Sequence, residues 1–524
     1  MGRRAYSAFF ILALVVSFVL VRFTNQAPTY TDAYYHYNGA VRLASSEGFT
    51  ETYLWTYIGA PLQLDEYGMF PSHLYWMPMT SILGSLGILI SGGEVSYEAA
   101  QLFFVLCYAL TACIAFALGW QVGKSRRYAW GAGLLAFTSP FFARYWGALD
   151  TFAPYAFFGA SCLWAMGLVC ISLAHKPEES RRLWVKALLA GALAGLSHLT
   201  RADGLLFILV IVLIFLWSGR QQLKRALPLI LMACVSYLLV MLPWFYRNSQ
   251  ALGTLLPVGG TQSIWFREYN ELFNFPPEAT PEQFFSDGLA TLWSSRIEAL
   301  NNNIGTFVAV EGFVVMAPLM LIGVWVQRKN PLFQPFIFYA LGMHIAMTFV
   351  FAYPGYRGGL FHSASALIPF WAVLGLVGLD HLVHWVAKRR RRWREEHAQW
   401  VFTVGLLGIS LLLMMSLVGR GGGNSTIPAW MEEIDALLPS DARVMINDPA
   451  QLYYFTGRGG VVIPNEAPEV LLQIREQYNI DYLLVEPNGL TTPLLSLWDH
   501  PPAFLERIPL SFSEVRLYAI HPET

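Results

Sequence analysis

The 524-residue chain is 55% hydrophobic and 15% aromatic, only 13% of it is charged, and its mean hydropathy is +0.44, usage that excludes a water-soluble globular enzyme. Its net charge of -1 hides a sorting of opposite charges along the chain, and no nucleic-acid partner is expected. All five cysteines, Cys107, Cys113, Cys162, Cys170 and Cys234, fall in apolar runs without a C-x-x-C pair, and they read as small core residues.

The first element is a basic start at 2–4 followed by an apolar run to Phe23 with no clear small-x-small cleavage site, read as an uncleaved first span. Apolar runs near 6–23, 98–121, 128–143, 152–174, 183–199, 202–218, 227–247, 306–327, 332–353, 362–387 and 399–418 approach or reach the roughly 20 residues that cross a bilayer, giving about eleven transmembrane helices. The short connections at 2–4, 124–127, 176–186, 220–225, 328–329 and 388–394 are basic and are expected on the cytoplasmic side. The loop 24–97 carries Asp32, Glu47, Glu51, Asp65, Glu66 and Glu94 against the single Arg42. It is expected outside, as are 248–305 and a tail that has no lysine. A crossing at 74–91 would put the 388–394 cluster outside, so 71–91 is expected to lie along the membrane or re-enter it. No internal repeat is present, which speaks against a carrier built from duplicated halves.

The tail opens with a glycine linker at 421–425 and a helix-like stretch at 428–438. Beyond it, "ARVMIND", "GVVIP" and "DYLLVEP" read as buried strands and "QLYYF" and "EVLLQIREQY" as helices. That is the pattern of a small α/β domain with a parallel sheet, without a G-x-G-x-x-G phosphate loop. The expected fold is thus a polytopic α-helical membrane domain over 1–419 and a small external α/β domain over 420–524.

Ionisable groups at the edge of the hydrocarbon are costly, which ranks the candidates for chemistry. Asp32, in "YTDAYYHYNGAVRLASSEGF", either caps an amphipathic helix at 38–46 or acts as a base, and the aromatics beside it read as an interface belt. Asp150, in the short loop "RYWGALDTFAPY", either caps the next span or pairs with Arg144, or joins Asp32 in catalysis. Arg201 and Asp203, in "GLSHLTRADGLLF", either satisfy each other or bind substrate. Arg357 and His362, in "YPGYRGGLFHSASALIPF", either form the favoured pyrophosphate or phosphate clamp, where Gly355, Gly358 and Gly359 would let backbone approach a ligand, or lie in a plain turn with a snorkelling arginine. Tyr35, His36 and His73 complete the expected substrate-binding set, and both His73 and Glu311 also admit a structural reading. His381 and His384 read as interfacial, so no metal site is assigned.

Over roughly residues 6–390 this pattern resembles the GT-C superfamily of integral-membrane glycosyltransferases, which includes protein O-mannosyltransferases, aminoarabinose transferases and oligosaccharyltransferases. The resemblance rests on Asp32 after the first span, the long first loop, Asp150 in the next short loop, the "LTRADGLLF" hairpin, and the layout of "LGWQVGKSRRYAWGAGLLAFTSPFFARYWGALD", similar to bacterial members. It implies a polyprenyl-phosphate-sugar donor, a lipid, glycan or protein acceptor, and hexosyl or pentosyl transfer at the outer face of the plasma membrane. Inversion would use Asp32 as general base, with Arg357, Arg201 and His362 stabilising the departing charge. No cofactor is required and a divalent cation (Mg or Mn) is permitted. The family often shows paired acids where this chain has Asp32-Ala33, and "SLWDH" is a poor match to the oligosaccharyltransferase W-W-D signature. The rival readings are a lipid-linked-saccharide flippase without chemistry and a non-catalytic scaffold.

Overall fold

The computed structural model describes residues 2–61, 68–174, 180–390, 393–419, 426–486 and 489–522; Asp65, Glu66, Lys176, Arg391, Arg392 and the 421–425 linker lie outside them. The chain divides into two compact units, one made of Met1–Gln26, Gln101–Trp244 and Ser295–Gly423, the other of Ala27–Ala100, Phe245–Ser294 and Asn424–Thr524.

Helices dominate the first unit because its apolar runs satisfy every backbone group internally, as lipid demands. Among the described residues seven helices are long and apolar enough to cross a membrane: Arg3–Thr24, Tyr97–Gly123, Phe152–Ala174, Arg181–Thr200, Leu223–Leu252, Ala352–Ala387 and Glu395–Gly419. Shorter apolar helices cover Met79–Ile90, Ala202–Ser218, Ala317–Gln327 and Gln334–Val350. The chain is an integral membrane protein.

Two expected spans are interrupted. The run at 128–143 is helical only over Arg126–Phe137, because Pro140 biases Ser139 away from helical geometry, and turns follow to Ser139 and beyond. The run at 306–327 passes through a π-turn at Phe307–Glu311 and then left-handed Phe313 (φ 47°) and Val314 (φ 65°). It resumes at Ala317–Gln327 with Pro318 in the first turn, where a missing N–H costs nothing. The apolar stretch at 71–91 yields a helix of 12 residues, Met79–Ile90, about 18 Å long and too short to span the hydrocarbon.

The second unit is built on a six-stranded sheet in the order β2-β5-β4-β6-β8-β7. Its strands are β2 (Tyr53–Leu54), β4 (Val444–Ile446), β5 (Gly460–Val462), β6 (Tyr482–Val485), β7 (Leu505–Ile508) and β8 (Arg516–Ile520). A separate antiparallel pair joins β1 (Thr50–Glu51) to β3 (Phe70–Pro71). The three strands read from the tail are present and parallel, and β7 and β8 add an antiparallel edge. The opposite edge is supplied from the first loop: Tyr53 pairs with Gly460 and Leu54 with Val461. Both faces of the parallel strands are covered, which is why they read as unbroken apolar runs. Met445, Val461 and Leu483 pack in one core cluster, and Val444, Ile446 and Leu484 in another. The helix Pro449–Thr456 starts at an Asp448 cap that accepts from the Gln451 amide and ends at left-handed Gly457, the start and stop signals expected of a short crossover.

Candidate active site

Asp150 follows a loop of the first unit that aromatic packing holds rigid. Trp146 is fully buried, stacks on Tyr108 and Phe142, and donates its indole N–H to Ser139 at 3.1 Å. Asn25 donates to the Arg144 carbonyl at 2.9 Å, and Gln101 donates to the carbonyls of Asn25 and Gly147 at 2.7 Å each. A Cβ on Gly147 would meet Val21 at 2.5 Å, so only glycine allows this approach. The loop delivers a completely buried Asp150, whose Oδ1 accepts the Thr151 amide and whose Oδ2 lies 3.2 Å from His362 Nε2.

His362 is fixed on three sides. Its ring stacks on Phe152 at 4.0 Å and 20°, and its Nδ1 lies 2.8 Å from the Gly358 carbonyl. A carbonyl only accepts, so Nδ1 carries a proton. A lone pair on Nε2 would then repel the carboxylate, and the couple is therefore built to share a cation, either a proton or a metal ion. Gly358 makes this possible by adopting φ 126°. The neighbouring glycines serve the chain itself: a Cβ on Gly359 would lie 2.7 Å from the Pro354 carbonyl, and one on Gly355 would strike the Met347 carbonyl. Arg357 is exposed at the kink between them.

Arg201 and Asp203 lie where the helices Ser180–Thr200 and Leu205–Ser218 meet. Arg201 Nε donates to Asp203 Oδ1 at 2.9 Å, while its terminal nitrogens reach Thr151 Oγ1 at 3.3 Å and the Gly359 carbonyl at 3.4 Å. Those acceptors adjoin Asp150 and Gly358, so the structure gathers Asp150, Arg201, Asp203 and His362 into one cluster. Asp203 Oδ2 also accepts from Ser363 Oγ and from Tyr155 at 3.2 Å.

In the second unit, Asp32 is half-buried in the first turn of the helix Thr31–Ala44, where a carboxylate favours the positive end of the helix dipole. The cap position is Tyr30 and the helix begins seven residues before the expected 38–46 segment, so the capping alternative is set aside. The neighbouring aromatics are not an interface belt: Tyr34 and Tyr35 are buried, and Tyr34 packs against Tyr454 and Phe455. Tyr35, His36 and His73 form an interior network. The His73 amide donates to the Tyr35 hydroxyl at 2.6 Å, and Ser81 Oγ lies 3.0 Å from His73 Nε2 and 3.3 Å from His36 Nδ1. Burial, then nearby His36 and Arg247, hold His73 well below the ordinary imidazole range. Beside Tyr35 lies Glu51, only 4% exposed. Burial pushes its carboxyl up to about 8 despite a hydrogen bond from Tyr35 and the opposing charges of Arg247 and Arg42.

Glu311 is completely buried, bonded to His344 Nε2 at 2.9 Å and to the Trp371 indole at 2.7 Å. His384 is exposed and pairs with Glu395 at 3.1 Å.

No protein-family model and no curated protein sequence matches the chain. Solved structures do match it. ArnT from Cupriavidus metallidurans bound to undecaprenyl phosphate gives a TM-score of 0.58 at 14% identity, covering 99% of this chain and 98% of that one. Oligosaccharyltransferase AglB from Archaeoglobus fulgidus, in complex with an inhibitory peptide and a dolichol-phosphate, gives 0.57 at 12% identity over 96% of this chain and 72% of that one. The chain has the GT-C fold. A further structure of the A. fulgidus oligosaccharyltransferase, in complex with Zn and sulfate, gives 0.57 at 13% identity over 98% and 73%.

On this GT-C frame the sequence reading missed Thr151, Tyr155, Tyr339 and Ser363 in the first unit and Arg247 in the second. Tyr155 and Tyr339 sit inside apolar runs, where a phenol passes for one more hydrophobic residue. Ser363 sits directly after His362 in a stretch already singled out, which was the available signal. Arg247 donates to the Phe49 and Ser72 carbonyls at 2.9 and 2.8 Å, partners some 175 to 198 residues away.

Proposed function

We propose that this chain is a membrane glycosyltransferase that moves a sugar from a polyprenyl-phosphate-linked donor to an acceptor at the outer face of the plasma membrane. Its N-terminus would be cytoplasmic and the 420–524 segment external, guiding the acceptor. The observation that carries the reading is the cluster of Asp150, His362, Arg201 and Asp203 at the ends of apolar helices, in a fold shared with a protein solved with undecaprenyl phosphate.

In the proposed reaction the Asp32 carboxylate takes the proton of an acceptor hydroxyl. That oxygen attacks the anomeric carbon, the bond from carbon to phosphate oxygen breaks, and polyprenyl phosphate leaves with inversion. Arg201 and Arg357 stabilise the phosphate by charge-assisted hydrogen bonds. Tyr35, His36 and His73 are assigned to hold the Asp32 helix from within. Asp150 and His362 offer an oxygen and a nitrogen 3.2 Å apart, a donor pair that suits a divalent cation such as Mg or Mn. When bound, such an ion would neutralise charge on the departing phosphate.

Asp32→Asn, assayed in vesicles with a polyprenyl-phosphate sugar, is expected to lose ~10²–10⁴-fold in transfer rate with an unchanged melting temperature. Unchanged transfer would remove Asp32 as the base. A carrier without chemistry is favoured by one feature, the interrupted helix at 307–316 beside Glu311. Both Glu311 oxygens are filled by protein donors, which leaves that acid no role toward cargo. Intact lipid-linked sugar appearing across the bilayer, with no glycosidic cleavage, would establish the carrier.

A further inference from the structure

A chain of hydroxyls runs beneath Arg201. Tyr155 and Tyr339 are both completely buried, on the helices Phe152–Ala174 and Gln334–Ile345, and their phenolic oxygens are 2.8 Å apart. Tyr155 donates to Asp203 Oδ2 at 3.2 Å, so its oxygen accepts from Tyr339, and the direction of the relay is fixed. Phe207, from the helix Leu205–Ser218, stacks on the Tyr339 ring at 4.1 Å and 10°, which prevents the phenol from swinging away. Ser363 supplies a second donor to the same Asp203 oxygen.

The consequence falls on the guanidinium. Asp203 Oδ1 anchors Arg201 at Nε, and the Tyr155 ring lies 5.9 Å from the guanidinium carbon. Among the described residues the terminal nitrogens make only long bonds, to Thr151 and Gly359 beside Asp150 and Gly358. An arginine tied at Nε and loosely held at both Nη groups can exchange those two weak bonds for a bidentate grip on phosphate without moving its stem. Buried hydroxyls are expensive unless bonded, and a second tyrosine placed only to satisfy the first is costlier than a phenylalanine unless the anchored carboxylate matters.

We infer that Tyr339 and Tyr155 are positioning residues which, through Asp203, aim the two terminal nitrogens of Arg201 at the phosphate of the lipid donor. The inference rests on the proposed transferase reading, but it is tested by binding alone. Full-length protein in detergent is titrated with undecaprenyl phosphate, and melting is measured for each variant. Arg201→Ala should weaken binding most. Tyr339→Phe, which keeps the ring stack and loses one hydroxyl, should weaken it about three- to tenfold, as should Tyr155→Phe and Ser363→Ala. Tyr339→Phe added to Arg201→Ala should weaken it no further, because the relay acts only through the arginine. If wild type does not bind undecaprenyl phosphate, the function reading itself falls. If it binds and Arg201→Ala weakens binding, but the tyrosine variants equal wild type or add independently to Arg201→Ala, the positioning inference falls. Should Tyr339→Phe fail to fold, Tyr155→Phe and Ser363→Ala decide it in the same cycle.

Discussion

The first unit contains the same chemical couple twice. In both Asp150–His362 and Glu311–His344 a fully buried carboxylate meets a histidine Nε2, at 3.2 and 2.9 Å, and in both the histidine Nδ1 is held by the carbonyl four residues earlier, Gly358 or Ala340. The surroundings differ. Glu311 has its second oxygen closed by the Trp371 indole, with Phe307 packed against both His344 and Trp371. Asp150 is followed directly by Thr151, which touches a loosely held arginine, and its histidine stands on a glycine kink beside exposed Arg357. A buried acid and a histidine are therefore not in themselves a reaction centre. A neighbouring cation able to change partners distinguishes the couple suited to chemistry from the one that fastens helices.

That contrast can be broken experimentally. The largest effect is expected at Asp150: Asp150→Asn should cut transfer in vesicles ~10²–10⁴-fold, whereas Glu311→Gln should leave the rate per folded molecule within about twofold. Equal losses from both would erase the distinction. Trp146→Ala should destabilise the first unit by about 3–5 kcal/mol in chemical denaturation, because it empties the packing that delivers Asp150. A smaller thermal effect is expected of Glu311→Gln, about 1–3 kcal/mol, from weakened bonds to His344 and Trp371. The gentlest test uses Glu51, a buried acid whose carboxyl burial raises from its ordinary 4.5 to about 8. Its folded form holds the proton more tightly than its unfolded form. The stabilisation is thus complete below about pH 4.5 and is lost as pH rises through about 8, with a slope of at most about 1.4 kcal/mol per pH unit. Melting curves of Glu51→Gln across pH 5–8 should lack that slope, and an unaltered slope would assign it to other groups.

Much of the fold was legible because lipid and sheet each leave a local imprint. Length and apolarity marked the spans, and unbroken apolar triplets such as Val444–Ile446 marked strands covered on both faces. What escaped was decided by single residues or by distance. Pro140 shortened one helix, and the left-handed pair Phe313 and Val314 split another. The tyrosines at 34 and 35 looked like residues for a lipid boundary, yet they bury against Tyr453, Tyr454 and Phe455, partners some four hundred positions away that no window of sequence contains. Within the site, Asp150, Arg201, Asp203 and His362 were visible as charged residues interrupting apolar surroundings. The hydroxyls that steady them were not, since Tyr155 and Tyr339 interrupt nothing.

The edge strand Tyr53–Leu54 has a bearing on how the chain matures. It leaves the ribosome early, while Gly460–Val462, beside which it must lie, is made more than four hundred residues later. Until then Tyr53–Leu54 carries an open ladder that invites mispairing. Biogenesis must therefore keep an early loop waiting for a late tail, and a prematurely terminated product would be left with an unsealed border.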